Sequence, residues 1–166
     1  MKYYITGING FIGFTLAKKL IDLGHTVSGI DSMNHYYDVA LKVARNRILG
    51  KMGAKTYYGN LLSNGDLNYT LSEEKPDVVI HLAAYAGIRN SLERPNLYIS
   101  HNITGTQNLI NACEKRGIEN VLYASTSSVM ADNKIWPWNE QERLGEMLSP
   151  YAYTKQSNEH QFKISK

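Results

Sequence analysis

The chain has one cysteine, Cys113, four prolines and two tryptophans among 166 residues. It has no uncharged apolar run long enough to span a bilayer. One cysteine excludes a disulfide within the chain, and Cys and His nowhere recur at metal-ligand spacing, so no metal is expected. Cys113 falls on a helical period with Leu109 and Ile110, which favours a buried structural thiol over a reactive one. No charged leader followed by an apolar stretch opens the chain, so a soluble, cytoplasmic protein with no membrane partner is expected. Charge of either sign is sparse as well. Eighteen Lys and Arg against 15 Asp and Glu leave a formal +3, scattered apart from the short stretch Lys42 to Arg47. That balance tolerates an anionic phosphate but lacks the basic stripe with interleaved aromatics that nucleic acid requires. Internal repeats, low-complexity tracts and linkers are absent too. A chain of this size buries about 70% of the surface its unfolded form exposes, and residues 1–166 are expected to form one domain.

What is present is a regular alternation. Apolar runs of strand length occur at Lys2 to Thr6, Thr26 to Asp31, Lys55 to Tyr58, Asp77 to Leu82 and Asn120 to Ser125. Segments of helical period separate them. Phe11 to Leu23 sets Ile12, Leu16, Leu20 and Leu23 on one face; Tyr37 to Leu49 does the same with Leu41, Ala44 and Ile48. Gly65 to Glu74 is a shorter helix, and Pro95 leads into a long one from Asn96 to Arg116, stopped by Gly117. Strict strand-helix alternation predicts an α/β fold, a Rossmann-type doubly wound parallel sheet of order 3-2-1-4-5. The long irregular stretch is Met130 to Ser149, whose Trp136-Pro137-Trp138 is expected to pack on the body of the protein, the alternative being a contact surface.

Gly7, Gly10 and Gly13 follow the first strand and open the first helix. In that context the backbone can approach a pyrophosphate closely, and the positive end of the helix favours its charge. The alternative is a glycine-rich turn chosen for tight packing. Asp31 closes the second strand, where a carboxylate can accept both hydroxyls of an adenosine ribose and repel a 2′-phosphate, favouring NAD over NADP. The alternative there is an acid that caps a turn with Ser32 and Asn34. Near the other end, Tyr151 and Lys155 share a helix face, with Ser149 as N-cap and Pro150 in the first turn, while Tyr153 points elsewhere. A tyrosine that shuttles protons at neutral pH needs its pKa brought down from about 10, and a nearby ammonium contributes to that. The run Ala124-Ser125-Thr126-Ser127-Ser128 sets hydroxyls after the fifth strand, either as ligands at the carboxyl edge of the sheet or as local turn bonds.

Taken in order, these residues resemble the extended short-chain dehydrogenase/reductase superfamily and, within it, the NAD-dependent nucleotide-sugar epimerase/dehydratase family. The resemblance extends through Gly29-Ile30-Asp31-Ser32-Met33-Asn34, His81-Leu82-Ala83-Ala84, Asn102-Ile103-Thr104-Gly105-Thr106 and Tyr123-Ala124-Ser125-Thr126-Ser127-Ser128-Val129. Asn34-His35-Tyr36-Tyr37-Asp38 and Ala86-Gly87-Ile88-Arg89-Asn90-Ser91-Leu92-Glu93 are most similar to UDP-glucuronate 4-epimerases. The resemblance implies an NAD site formed by Gly7, Asn9, Gly10, Phe11, Ile12, Gly13, Asp31, Ser32, Asn34, Asn60, Leu61, Leu82, Ala83, Ala84, Tyr85 and Asn102, with Tyr151 and Lys155 reaching it. Thr126 matches the family's catalytic Ser/Thr, Tyr151 its general base and Lys155 the partner of that base. In the family reaction the tyrosinate takes the proton of a sugar C4 hydroxyl while NAD takes hydride, and the keto sugar is reduced again from its other face. The chain departs from the pattern at Asn60, where Asp is usual, and at Met130-Ala131, where Tyr-Gly is usual.

The resemblance covers about the N-terminal half of such proteins and stops in the helix that carries Lys155. Family members continue with a sixth strand beside the fifth and with the elements that clasp the nucleotide-sugar. Without them, Val121-Leu122-Tyr123 is an open edge, expected to be covered by a second copy, a partner or the chain's own terminus. Two functions follow: an NAD-dependent epimerase or oxidoreductase completed by another subunit, or a catalytically incomplete nucleotide-binding module that partners or regulates a complete epimerase.

Overall fold

The computed structural model describes residues 1–142 and 145–165, so positions 143 and 144 of the Met130 to Ser149 stretch lie outside the described residues. The chain divides into two compact units, Met1–Ala83 with Asn108–Ala124, and Ala84–Gln107 with Ser125–Lys166.

The first unit contains the sheet. Strands β1 (Lys2–Thr6), β2 (Thr26–Asp31), β3 (Lys55–Tyr58), β4 (Val78–His81) and β5 (Val121–Tyr123) are all parallel, in the expected order β3-β2-β1-β4-β5. Side chains alternate across a strand, so Tyr4 and Ile5 enter opposite cores. Tyr4, Ile30 and Val79 pack with Leu67 and Leu71 of α3 (Asn64–Glu74) and with Leu109, Ala112 and Cys113 of α6 (Gly105–Glu114). Ile5, Ile8 and Val27 pack with Ala17 of α1 (Phe11–Asp22) and Leu49 of α2 (Val39–Lys51). Cys113 is a free, buried thiol, as the helical period predicts, and burial pushes its pKa up to about 12. At the end of the sheet order β5 pairs with β4, and Leu122 is 57% exposed.

Two helix faces differ from expectation. In α1 the buried residues are Gly13 and Ala17, flanked by partly buried Phe14, Leu16 and Leu20, while Ile12 and Leu23 are exposed. The helix lies so close to the turn before it that small residues make the contact line and large ones fall to either side. In α2 the outward residues are Leu41, Ala44 and Ile48, and Lys42 and Leu49 are buried. The side turned inward also carries Arg45 and Asn46, whose hydrogen bonds to Asn9 O and Thr56 Oγ1 set the rotation of the helix.

The second unit contains α4 (Ile88–Glu93), α5 (Pro95–Tyr98), a π-helical turn (Ile99–Thr104), a 3-10 turn (Ser127–Met130) and α7 (Pro150–Ile164). The single helix expected from Asn96 to Arg116 is therefore α5, the wide turn and α6 in succession, and α4 precedes it unforeseen. Arg94, outside the helical region at φ −133° and ψ 54° before Pro95, separates α4 from α5. Polar residues of α7 are bonded inside this unit: Asn158 Nδ2 donates to Asn102 O (2.8 Å), and Gln161 Nε2 donates to Ile103 O (3.1 Å) and Gln107 Oε1 (3.0 Å). Trp138 is half-buried and its Nε1 donates to Asn133 O (3.1 Å), whereas Trp136 is 70% exposed and stacks on Trp138 with centroids 4.3 Å apart. Among the described residues no helix is long and apolar enough to cross a membrane, and no group of three or more His, Cys, Asp or Glu could hold a metal ion.

Candidate functional site

The glycine turn of the first unit is defined by backbone crowding. Gly7 has φ +72°, a left-handed conformation that disfavours side chains, and its N–H donates to Ile30 O at 2.7 Å. A Cβ at Gly13 would lie 2.3 Å from Gly7 O, and one at Gly7 would lie 3.0 Å from Ala83 Cα. Tight packing therefore accounts for part of the glycine pattern. Other features are not explained by packing. Helix α1 starts after Gly10 with no side-chain cap and no acidic residue in its first turn, leaving its N-terminal dipole open to an anion. Phe11 and Ile12 are 75% and 62% exposed at that end. Asn9 is buried, its Nδ2 donates to Met33 Sδ (3.5 Å), and its Oδ1 has no partner. A buried acceptor left unpaired costs about 1–3 kcal/mol, and a polar ligand in the turn would satisfy it. These residues fit a dinucleotide.

Asp31 is buried at the end of β2. Its Oδ2 accepts from Asn9 N (3.1 Å), and its Oδ1 accepts from Met33 N (2.8 Å) and Lys42 Nζ (3.4 Å). The turn-capping alternative is realised through Met33, with Asn34 Nδ2 donating to Ser32 Oγ beside it (3.1 Å). The same carboxylate is also tied to the glycine turn. After β3, Asn60 N donates to Asp66 Oδ2 (2.9 Å) and Asn60 Oδ1 accepts from Leu62 N (3.0 Å), so the residue standing where Asp is usual organises its own turn. Leu61 is buried beside it. After β4, the N–H groups of Leu82 and Ala83 donate to Thr6 Oγ1 at 3.2 and 3.1 Å. The first unit thus gathers Gly7 to Gly13, Asp31 to Asn34, Asn60, Leu61, Leu82 and Ala83 behind the carboxyl ends of four parallel strands, the edge where open α/β sheets bind ligands.

The remaining candidates belong to the second unit. Ser149 caps α7 by accepting from Ala152 N (3.1 Å), with Pro150 in the first turn. Tyr151 is half-buried, with its ring edge-on to Tyr98 at 6.2 Å, whereas Tyr153 is exposed. Lys155 is 4% exposed; burial draws its ammonium down to about pKa 8, and the negative charge of Glu159 pulls the other way. Thr126 begins the 3-10 turn, its Oγ1 accepting from Ser128 N (3.3 Å), which is the local bond that the sequence left as an alternative. Ser125 Oγ donates to the Glu159 carboxylate, joining the hydroxyl run to α7. Asn102 is buried and saturated: its Oδ1 accepts from Tyr85 N (2.8 Å), and its Nδ2 donates to Tyr85 O and Thr154 Oγ1 (3.0 Å each). Ala84 is exposed, and burial raises the Tyr85 phenol.

Sequence reasoning missed the inward cations Lys42 and Arg45 and the acid Glu159. A buried cation gives no periodic signal, because every amphipathic template places Lys outside. Glu159 was within reach, since an acid four residues beyond Lys155 is a helical pair.

Comparison with known proteins agrees with this geometry. A family model described as NAD dependent epimerase/dehydratase matches residues 3–165. The chain is 45% identical over 159 residues to Protein CapI of Staphylococcus aureus, covering 96% of this chain and 48% of that protein. It is 42% identical over 160 residues to a probable UDP-glucuronate 4-epimerase of Rhizobium meliloti, covering 96% and 47%. A crystal structure of UDP-glucuronic acid 4-epimerase from Bacillus cereus in complex with UDP-glucuronic acid and NAD superposes with TM-score 0.89 at 33% identity, covering 99% of this chain and 52% of that one. The chain thus spans about half the length of the relatives it matches.

Proposed function

The chain belongs to the NAD dependent epimerase/dehydratase family, and from that premise we propose that it binds NAD and serves the inversion of a nucleotide sugar at C4, the reaction for which its UDP-glucuronate 4-epimerase relatives are named. In this reading Gly7, Gly10, Gly13 and the uncapped start of α1 hold the pyrophosphate, and Asp31 accepts the ribose hydroxyls. When bound, NAD supplies the hydride acceptor and donor. The chain's own groups handle the proton. Tyr151 Oη takes it from the C4 hydroxyl and returns it when that hydroxyl forms again, Lys155 stabilises the phenolate with its positive charge, and Thr126 orients the reacting hydroxyl.

The observation that carries the reading is the hydrogen bond from Asn9 N to Asp31 Oδ2 at 3.1 Å. It fixes the turn suited to a pyrophosphate and the acid suited to a ribose to each other. Calorimetric titration of the chain with NAD is expected to saturate, and no saturation at millimolar cofactor would remove the reading. Tyr151→Phe is expected to leave NAD affinity nearly unchanged and to abolish turnover of UDP-glucuronate; unchanged turnover would clear the tyrosine of this role. Saturable binding without turnover would favour the alternative reading of these residues as a nucleotide-binding module over a chain that turns over the sugar by itself.

A further inference from the structure

Helix α2 turns Leu49 into the core, but its other large apolar residues do not explain its rotation. Leu41, Val43 and Ile48 are 53%, 40% and 44% exposed, whereas Lys42 is 7% exposed. Burying an ammonium while apolar side chains stay in water is unfavourable unless the charge is engaged. Here the Lys42 ammonium lies 3.4 Å from Asp31 Oδ1 and 3.2 Å from Asn34 Oδ1. One turn on, Arg45 Nη1 donates to Asn9 O at 3.3 Å. The helix therefore brings one cation to the ribose acid and a second to the glycine turn.

From this we infer that Lys42 determines cofactor preference jointly with Asp31, as a cation that the carboxylate holds in check and that would otherwise bind a 2′-phosphate. The inference rests on the NAD-binding reading. An unpaired carboxylate at the end of β2 would reject NADP by repulsion alone. With an ammonium on the same oxygen the local charge is close to balanced, and rejection depends on Asp31 keeping Lys42 occupied. When Asp31 becomes a neutral amide, the buried ammonium keeps only neutral acceptors such as the amide oxygen of Asn34, loses its counter-charge and becomes an anion site.

The test measures dissociation constants for NAD and NADP by calorimetry on the parent chain, Asp31→Asn, Lys42→Met and the double variant. Asp31→Asn is expected to shift the affinity ratio toward NADP by about tenfold or more, the scale of one charge-assisted hydrogen bond. Adding Lys42→Met should cancel that shift, and Lys42→Arg combined with Asp31→Asn should preserve it. Lys42→Met alone, which is informative even if Asp31→Asn does not fold, should weaken NADP more than NAD. A ratio indifferent to Lys42 in both backgrounds overturns the inference while leaving NAD binding intact. A parent chain that binds neither cofactor overturns the functional reading and this inference together.

Discussion

Replacing Lys155 by Met should stabilise the protein at neutral pH, and the gain should fade as pH rises. Burial lowers the pKa of this ammonium from 10.5 to about 8. Below pH 8 the folded and unfolded chains both hold the proton, and the fold bears the full penalty of a buried charge. Between 8 and 10.5 the unfolded chain binds more proton than the native one, so stability rises with pH through that window. At about 1.4 kcal/mol per pH unit, the gap between the two values corresponds to roughly 3 kcal/mol. Methionine keeps an unbranched stem of similar length without the charge. The variant should therefore exceed the parent by about 2–3 kcal/mol at pH 7, and most of that advantage should vanish by pH 10. Urea unfolding followed by circular dichroism, with parent and variant at each pH, cancels the titration of every other group. A variant no more stable at pH 7, or an advantage that stays flat to pH 10, would refute the argument. The penalty fits the proposed role, since a charge kept out of water acts more strongly on a neighbouring phenolate.

Gly13→Ala should lose more than about 2 kcal/mol and most NAD affinity, because its Cβ would meet Gly7 O at 2.3 Å. Gly65→Ala, whose nearest neighbour would be Ser63 Oγ at 3.7 Å, should be neutral or gain up to about 1 kcal/mol in the same unfolding and titration assays. Asn102→Leu should cost about 2 kcal/mol or more in urea unfolding, since it removes the three hydrogen bonds that its amide makes to Tyr85 N, Tyr85 O and Thr154 Oγ1. A loss under about 1 kcal/mol would show that these groups find other partners.

Strands were the most legible part of the chain. Parallel strands buried on both faces read as short apolar runs between turn residues, as in β1 and β2, while the edge strand β3 reads from its Thr and Tyr residues; these three fall on their expected bounds, and β4 and β5 lie inside theirs. The cap at Ser149 and Pro150 was legible because it is local chemistry. Helix faces were harder to read. The apolar count in α1 misassigned Ile12 because contact there is made by Gly13 and Ala17. In α2 it failed because a cation and an amide outweigh three apolar side chains in setting which side turns in. The long helix expected after Pro95 hid the wide turn, since an extra residue in a helical turn leaves no mark on composition. The glycines and Asp31 stood out as candidates through their spacing and their places after β1 and at the end of β2. Lys42 was out of reach that way, because its partner lies on another element and only the fold brings them together.

That wide turn also limits how the chain can vary. A π-helical turn holds one residue more than an α-helical one, and the carbonyls of Asn102 and Ile103 within it receive the side-chain amides of Asn158 and Gln161. Deleting any single residue from Ile99–Thr104 would restore an ordinary helix but carry both acceptors out of register, stranding two donors on a segment far along the chain. Indels at this site and substitutions at Asn158 or Gln161 should therefore be tolerated only as a matched set, which couples two stretches of the gene that share no local sequence feature.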